Sequence, residues 1–122
     1  MKALIVDDSR AMRLVIARIL AAHDFTIVEA SNGREALDAM ERAEPFDLAL
    51  VDWNMPVMDG LEFVLAVRAD RRWDETAIMM VTTESEEKQV ERAISAGASE
   101  YLMKPFSAEA FAAKLVGLGL AA

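Results

Sequence analysis

Five short apolar runs, each followed by a stretch with helical periodicity, cover the chain from end to end. Repetition of this unit is the pattern of a parallel sheet with helices on both faces, because every parallel crossover must carry the chain back along the sheet. The strand candidates are residues 3–6, 25–29, 48–51, 77–81 and 100–103. Most are near-continuous in apolar residues, as strands covered on both faces should be. The expected fold is therefore α/β, a doubly wound five-stranded parallel sheet with five helices. At 122 residues the chain is expected to form one domain, 1–122, with no output domain.

Helix signals fall where this alternation requires them. Ser9 can cap a first helix whose apolar stripe is Met12, Val15, Ile16, Ile19 and Leu20. Asn32 with Glu35 has capping-box spacing for a second helix ending before Pro45. Gly60 opens a third that runs to about Arg71. Thr83 with Glu86 repeats the box for a fourth, which carries Val90, Ala93 and Ile94 on one face and stops at Gly97. Ser107 caps the fifth, with Phe106 and Phe111 spaced as a hydrophobic staple.

The charge balance excludes some partners. Thirteen basic against 21 acidic residues give a net charge of -8, which argues against binding nucleic acid, where clustered Lys and Arg must meet phosphates. Every apolar stretch is interrupted by Asp, Glu or Arg before the roughly 20 residues that span a bilayer, so no membrane partner is expected. The lack of Cys removes disulfides and thiolate metal sites, and a cytoplasmic location is expected.

The chemistry sits at strand ends. Asp7 and Asp8 follow the first run, Asp52 the third, Thr82 the fourth and Lys104 the fifth. In a parallel sheet these positions share the carboxyl edge, where open α/β sheets bind ligands. Carboxylates crowded together repel one another, and a hard divalent cation such as Mg2+ would relieve that repulsion and leave room for phosphate oxygens. Alone, Asp8 reads as a turn former or helix cap, Thr82 as a strand residue and Lys104 as a solvated lysine. Together they supply a nucleophile, metal ligands and counter-charge for phosphoryl transfer. His23 has no second His or Cys near it, and Met55, Met79, Met80 and Met103 read as core fillers.

Asp7-Asp8-Ser9, the run from Asp52 to Gly60, Val81-Thr82-Thr83-Glu84 and Lys104-Pro105-Phe106 resemble the signature of two-component response regulator receiver domains over the whole chain. Trp53-Asn54, Glu84 and the run from Ala96 to Tyr101 are most similar to the stand-alone, CheY-like chemotaxis class. That resemblance implies a flavodoxin-like strand order 2-1-3-4-5, for which CheY is a general reference example.

It also implies roles. Asp52 would accept a phosphoryl group from a histidine kinase. Asp8, Asp52 and the Asn54 backbone carbonyl would hold Mg2+, with Asp7 acting mainly through a bound water. Lys104 would pair with phosphoryl oxygens, Thr82 and Tyr101 would form the switch, and Asn54, Thr83 and Glu84 would tune dephosphorylation. Thr83 stands where a smaller residue is common, so its replacement by Ala is expected to speed phosphoryl loss. The resemblance makes the chain a non-enzyme apart from its own phosphorylation and dephosphorylation. It implies a monomer whose downstream protein binds the fourth helix, fifth strand and fifth helix. A phosphate sink, a relay carrier or an aspartate-nucleophile Mg2+ phosphohydrolase are the alternatives; the last expects an Asp where Ser9 stands.

Overall fold

The computed structural model describes residues 1–83 and 88–121. Its strands are β1 (Lys2–Val6), β2 (Thr26–Ala30), β3 (Leu48–Asp52), β4 (Ala77–Thr82) and β5 (Glu100–Met103). All four pairings are parallel, in the order β2-β1-β3-β4-β5. Among the described residues the helices are α1 (Arg10–Ala22), α2 (Gly33–Arg42), α3 (Gly60–Arg68), α4 (Val90–Ala96) and α5 (Ala108–Gly117). This is the doubly wound flavodoxin-like arrangement expected from the alternating pattern and the family resemblance.

The sheet splits its side chains by the period of two. Ala3, Ile5, Leu48, Leu50, Met79 and Val81 pack against Ile16 and Leu20 of α1 and Phe111 and Leu115 of α5. Leu4, Val6, Ala49, Val51, Ile78 and Met80 face Ala36 and Met40 of α2, Phe63 and Val67 of α3, and Ala93 of α4. The three inner strands are buried along almost their whole length. β2, at one edge, exposes Thr26 and Glu29.

Capping explains most helix starts. Ser9, Asn32 and Ser107 each accept a backbone N–H from the first turn of the helix they precede. The Phe106 and Phe111 rings lie 5.7 Å apart, as the staple requires. The second box departs from expectation, because Glu35 reaches back to the N–H of Ser31 instead of Asn32. That bond holds the Glu35 carboxyl below its ordinary range. The full reciprocal box belongs to α3, between Asp59 and Glu62. Glu86, the second half of the box expected with Thr83, lies outside the described residues.

Two expectations are corrected. α3 stops at Arg68, short of Arg71, and a 3-10 turn (Arg71–Trp73) follows. Arg68 folds inward there and donates to the carbonyls of Gly97, Trp73 and Thr76. Val15 and Ile94, assigned to inner stripes, are 47% and 44% exposed, because the inner rows are narrower than the apolar stripes.

Candidate functional site

Four strand ends meet at one edge of the sheet. Asp52 closes β3 and Thr82 closes β4, while Asp7 and Lys104 are the first residues beyond β1 and β5. The parallel register sets Val6 beside Val51, Asp52 beside Val81 and Thr82 beside Met103, so the side chains arrive at one level. One carboxylate oxygen from each of Asp7, Asp8 and Asp52 lies within 4.8 Å of the others. Asp7 and Asp52 are buried and Asp8 is exposed, which makes a basket with a floor and an open rim.

Lys104 enters this basket from the β5 side. Its Nζ is 3.2 Å from Asp52 Oδ1 and 3.6 Å from Asp7 Oδ2. The Lys104–Pro105 peptide is cis, and the Lys104 N–H donates to the Thr82 carbonyl at 2.6 Å, tying the lysine to the end of β4. Asp52 depends on a close approach from the start of α3. A Cβ at Gly60 would lie 2.6 Å from the Asp52 carbonyl oxygen and 3.1 Å from Trp53 Cα, so only glycine fits.

The donor set suits a hard cation. Asp7 Oδ1 accepts the Ser9 N–H at 2.8 Å. Asp7 Oδ2 is buried and, among the described residues, accepts no hydrogen bond. The Lys104 ammonium at 3.6 Å is near enough for attraction but too far for a hydrogen bond. A buried oxygen with an open lone pair, beside two more carboxylates, is what an oxygen-ligated Mg2+ or a water on that ion would satisfy.

The remaining candidates surround this centre. The Thr82 side chain is fully buried, with Oγ1 4.0 Å from the sulfur of Met103. Thr83 follows β4 and is half-buried, and Asn54 is exposed two residues past Asp52. Glu84 lies outside the described residues. Tyr101, on β5, is half-buried beneath Lys114, whose Nζ sits 4.6 Å from the ring centroid and 3.0 Å from Glu100 Oε1. Tyr101 borders a recess of about 470 Å³ lined also by Lys88, Val90 and Glu91.

Comparison with known proteins fits this arrangement. Residues 3–116 match the model of the response regulator receiver domain. The chain belongs to that family. Among receiver proteins, the chemotaxis protein CheY homolog of Campylobacter jejuni is 42% identical over 94% of this chain and 89% of its own length. Chemotaxis protein CheY1 of Helicobacter pylori strain J99 is 40% identical over 94% of both chains. The structure of CheY4 from Vibrio cholerae aligns with a TM-score of 0.88 at 38% identity, over 96% of this chain and 97% of that one. Receiver domains of this CheY type are signalling proteins of phosphorelays, generally non-enzymatic and Mg2+-dependent, that work with histidine kinases and downstream targets. No helix among the described residues is long and apolar enough to cross a membrane.

Thus the structure brings Asp7, Asp8, Asp52 and Lys104 together, with Thr82 at the adjoining strand end. Sequence reasoning gave Arg13 no role at this site. Arg13 is largely buried and donates to the Asp7 carbonyl at 2.7 Å and to Glu29 Oε1 at 2.9 Å. The available signal was its position six residues after Asp7, one turn into the helix.

Proposed function

We propose that this chain is the phosphoacceptor of a histidine kinase phosphorelay in chemotaxis, with Asp52 as the acceptor. The observation that carries this reading is the Lys104 ammonium poised 3.2 Å from a largely buried carboxylate at a strand end. An Asp52 oxygen attacks the phosphorus of a phosphohistidine, the P–N bond breaks, and the imidazole departs with a proton. Lys104 then pairs with a phosphoryl oxygen. Asp8, Asp52 and the Asn54 carbonyl would hold Mg2+, with Asp7 acting through a water. The bound cation supplies neutralisation of charge on the transferring phosphoryl oxygens.

Phosphorylation places new charge and strong acceptors beside the Thr82 hydroxyl. Thr82 turns from the Met103 sulfur toward a phosphoryl oxygen, and Tyr101 repacks into the space near β4. The altered surface of α4, β5 and α5 then binds a downstream protein. Asn54, Thr83 and Glu84 set the lifetime of the acyl phosphate.

Intact mass after incubation with acetyl phosphate, and separately with a phosphorylated histidine kinase, tests the reading. A single phosphoryl adduct that requires Mg2+ and disappears in Asp52→Asn supports it. No adduct from either donor, or an adduct that survives Asp52→Asn, overturns it.

A further inference from the structure

Three of the four polar atoms of Asp7 are committed to the protein. Its N–H donates to the Ala30 carbonyl at 3.1 Å, its carbonyl accepts from Arg13 Nη1 at 2.7 Å, and its Oδ1 accepts the Ser9 N–H at 2.8 Å. The remaining oxygen, Oδ2, is the buried one that accepts no hydrogen bond and faces Lys104. The carbonyl held by Arg13 belongs to the peptide that joins Asp7 to Asp8. The contact therefore holds the backbone segment from which both carboxylates project.

Arg13 is itself fixed. Its Nε donates to Glu29 Oε1 at 2.9 Å, and Glu29 stands on β2 next to the Ala30 whose carbonyl receives the Asp7 N–H. The guanidinium therefore braces the acidic loop against α1 on one side and β2 on the other. Its planar fork can make both bonds together, which a lysine ammonium at the end of a flexible stem matches poorly. The Arg13 side chain is 17% exposed and its bond to the Asp7 carbonyl is part-buried, while the Glu29 side chain is 48% exposed, so the anchor is the more solvated of the two contacts.

We infer that Arg13, anchored by Glu29, is a positioning residue for divalent cation binding at Asp7, Asp8 and Asp52, acting through the Asp7 carbonyl. The inference rests on the cation reading given above and adds a residue that touches neither cation nor phosphate. It also predicts a sign. If Arg13 acted only through its charge, deleting it would tighten cation binding, because a nearby positive charge repels Mg2+ and Glu29 would be left uncompensated. A positioning role gives the opposite, since loss of an outer support typically weakens metal affinity by about tenfold or more.

Calorimetric titration of Mg2+ into wild type, Arg13→Met, Arg13→Lys and Glu29→Gln, with urea unfolding of each, separates these cases. The expected results are about tenfold weaker binding in Arg13→Met, partial recovery in Arg13→Lys and a smaller loss in Glu29→Gln. Equal or tighter binding in a folded Arg13→Met overturns the inference. Should Arg13→Met not fold, Glu29→Gln decides, and unchanged affinity there also overturns it. Absence of Mg2+ binding by wild type removes the cation reading itself, and this inference falls with it.

Discussion

The Thr82 hydroxyl faces the sulfur of Met103, 4.0 Å away across the β4–β5 pair. Thioether sulfur is a weak acceptor, so the hydroxyl is held loosely although the side chain is fully buried. Leaving that sulfur for a charged phosphoryl oxygen is therefore inexpensive. Thr82→Val should leave stability unchanged or raise it by up to about 1 kcal/mol, because little hydrogen bonding is lost and a buried hydroxyl is removed. Acetyl phosphate should still label Asp52, while the phosphorylation-dependent gain in partner binding should fall. A stability loss above about 2 kcal/mol in urea unfolding would mean the hydroxyl is well bonded at rest.

Charge at the basket is unbalanced in the absence of a cation. With ligand oxygens no more than 4.8 Å apart, each of two carboxylate repulsions costs Asp52 at least about 3 kcal/mol at an effective dielectric constant of 20, against about 5 kcal/mol of attraction to Lys104 at 3.2 Å. Solvent around exposed Asp8 reduces the difference. Asp52→Asn should therefore stabilise the protein by about 1 kcal/mol in EDTA. Added Mg2+ should raise the melting temperature of wild type more than that of the variant, through binding to the folded state. Destabilisation of Asp52→Asn in EDTA would show that the Lys104 pair dominates.

Gly60 offers a test of backbone fit. An added methyl would meet the Asp52 carbonyl, Met80 Cε and Trp53 Cα at 2.6, 2.9 and 3.1 Å. Two of these atoms are backbone and cannot move without shifting the end of β3. Gly60→Ala should lose about 2–4 kcal/mol of stability despite the better helix propensity of Ala. Because the displaced residue is Asp52, labelling by acetyl phosphate should slow more than Mg2+ binding weakens. Unchanged stability in thermal unfolding would refute the close contact.

The strands and the acidic basket were legible because they depend on local pattern. Buried strands such as Leu48–Asp52 read as unbroken apolar runs, and every expected member of the basket adjoins a strand end. Features set by tertiary contact were not legible. Helical spacing defines a stripe but not its width, which is why Val15 and Ile94 were assigned inward. α3 ends at Arg68 because its guanidinium finds carbonyls up to 29 residues away. Arg13 gains its role from Glu29, 16 residues distant on another element. Nothing in the apolar letter of Val57 announces its backbone.

Val57 has φ 69° and is 80% exposed. The Met58 N–H donates to the Pro56 carbonyl at 2.7 Å, which closes a γ-turn with Val57 at its centre. For a β-branched residue, positive φ is an outlier, with a cost of about 1–2 kcal/mol relative to the right-handed region. Burial offsets little of it, since the side chain stands in water. Asparagine tolerates this region far better than valine. Val57→Asn should therefore stabilise the fold by about 1 kcal/mol, read as a higher urea midpoint at unchanged slope. The strained turn lies in the loop that leaves Asp52, so the same variant tests whether the strain serves phosphoryl transfer. If labelling by acetyl phosphate is unaffected while transfer from a histidine kinase slows, the exposed valine is a contact for the protein donor. Equal rates from both donors would leave the strain without a part in transfer.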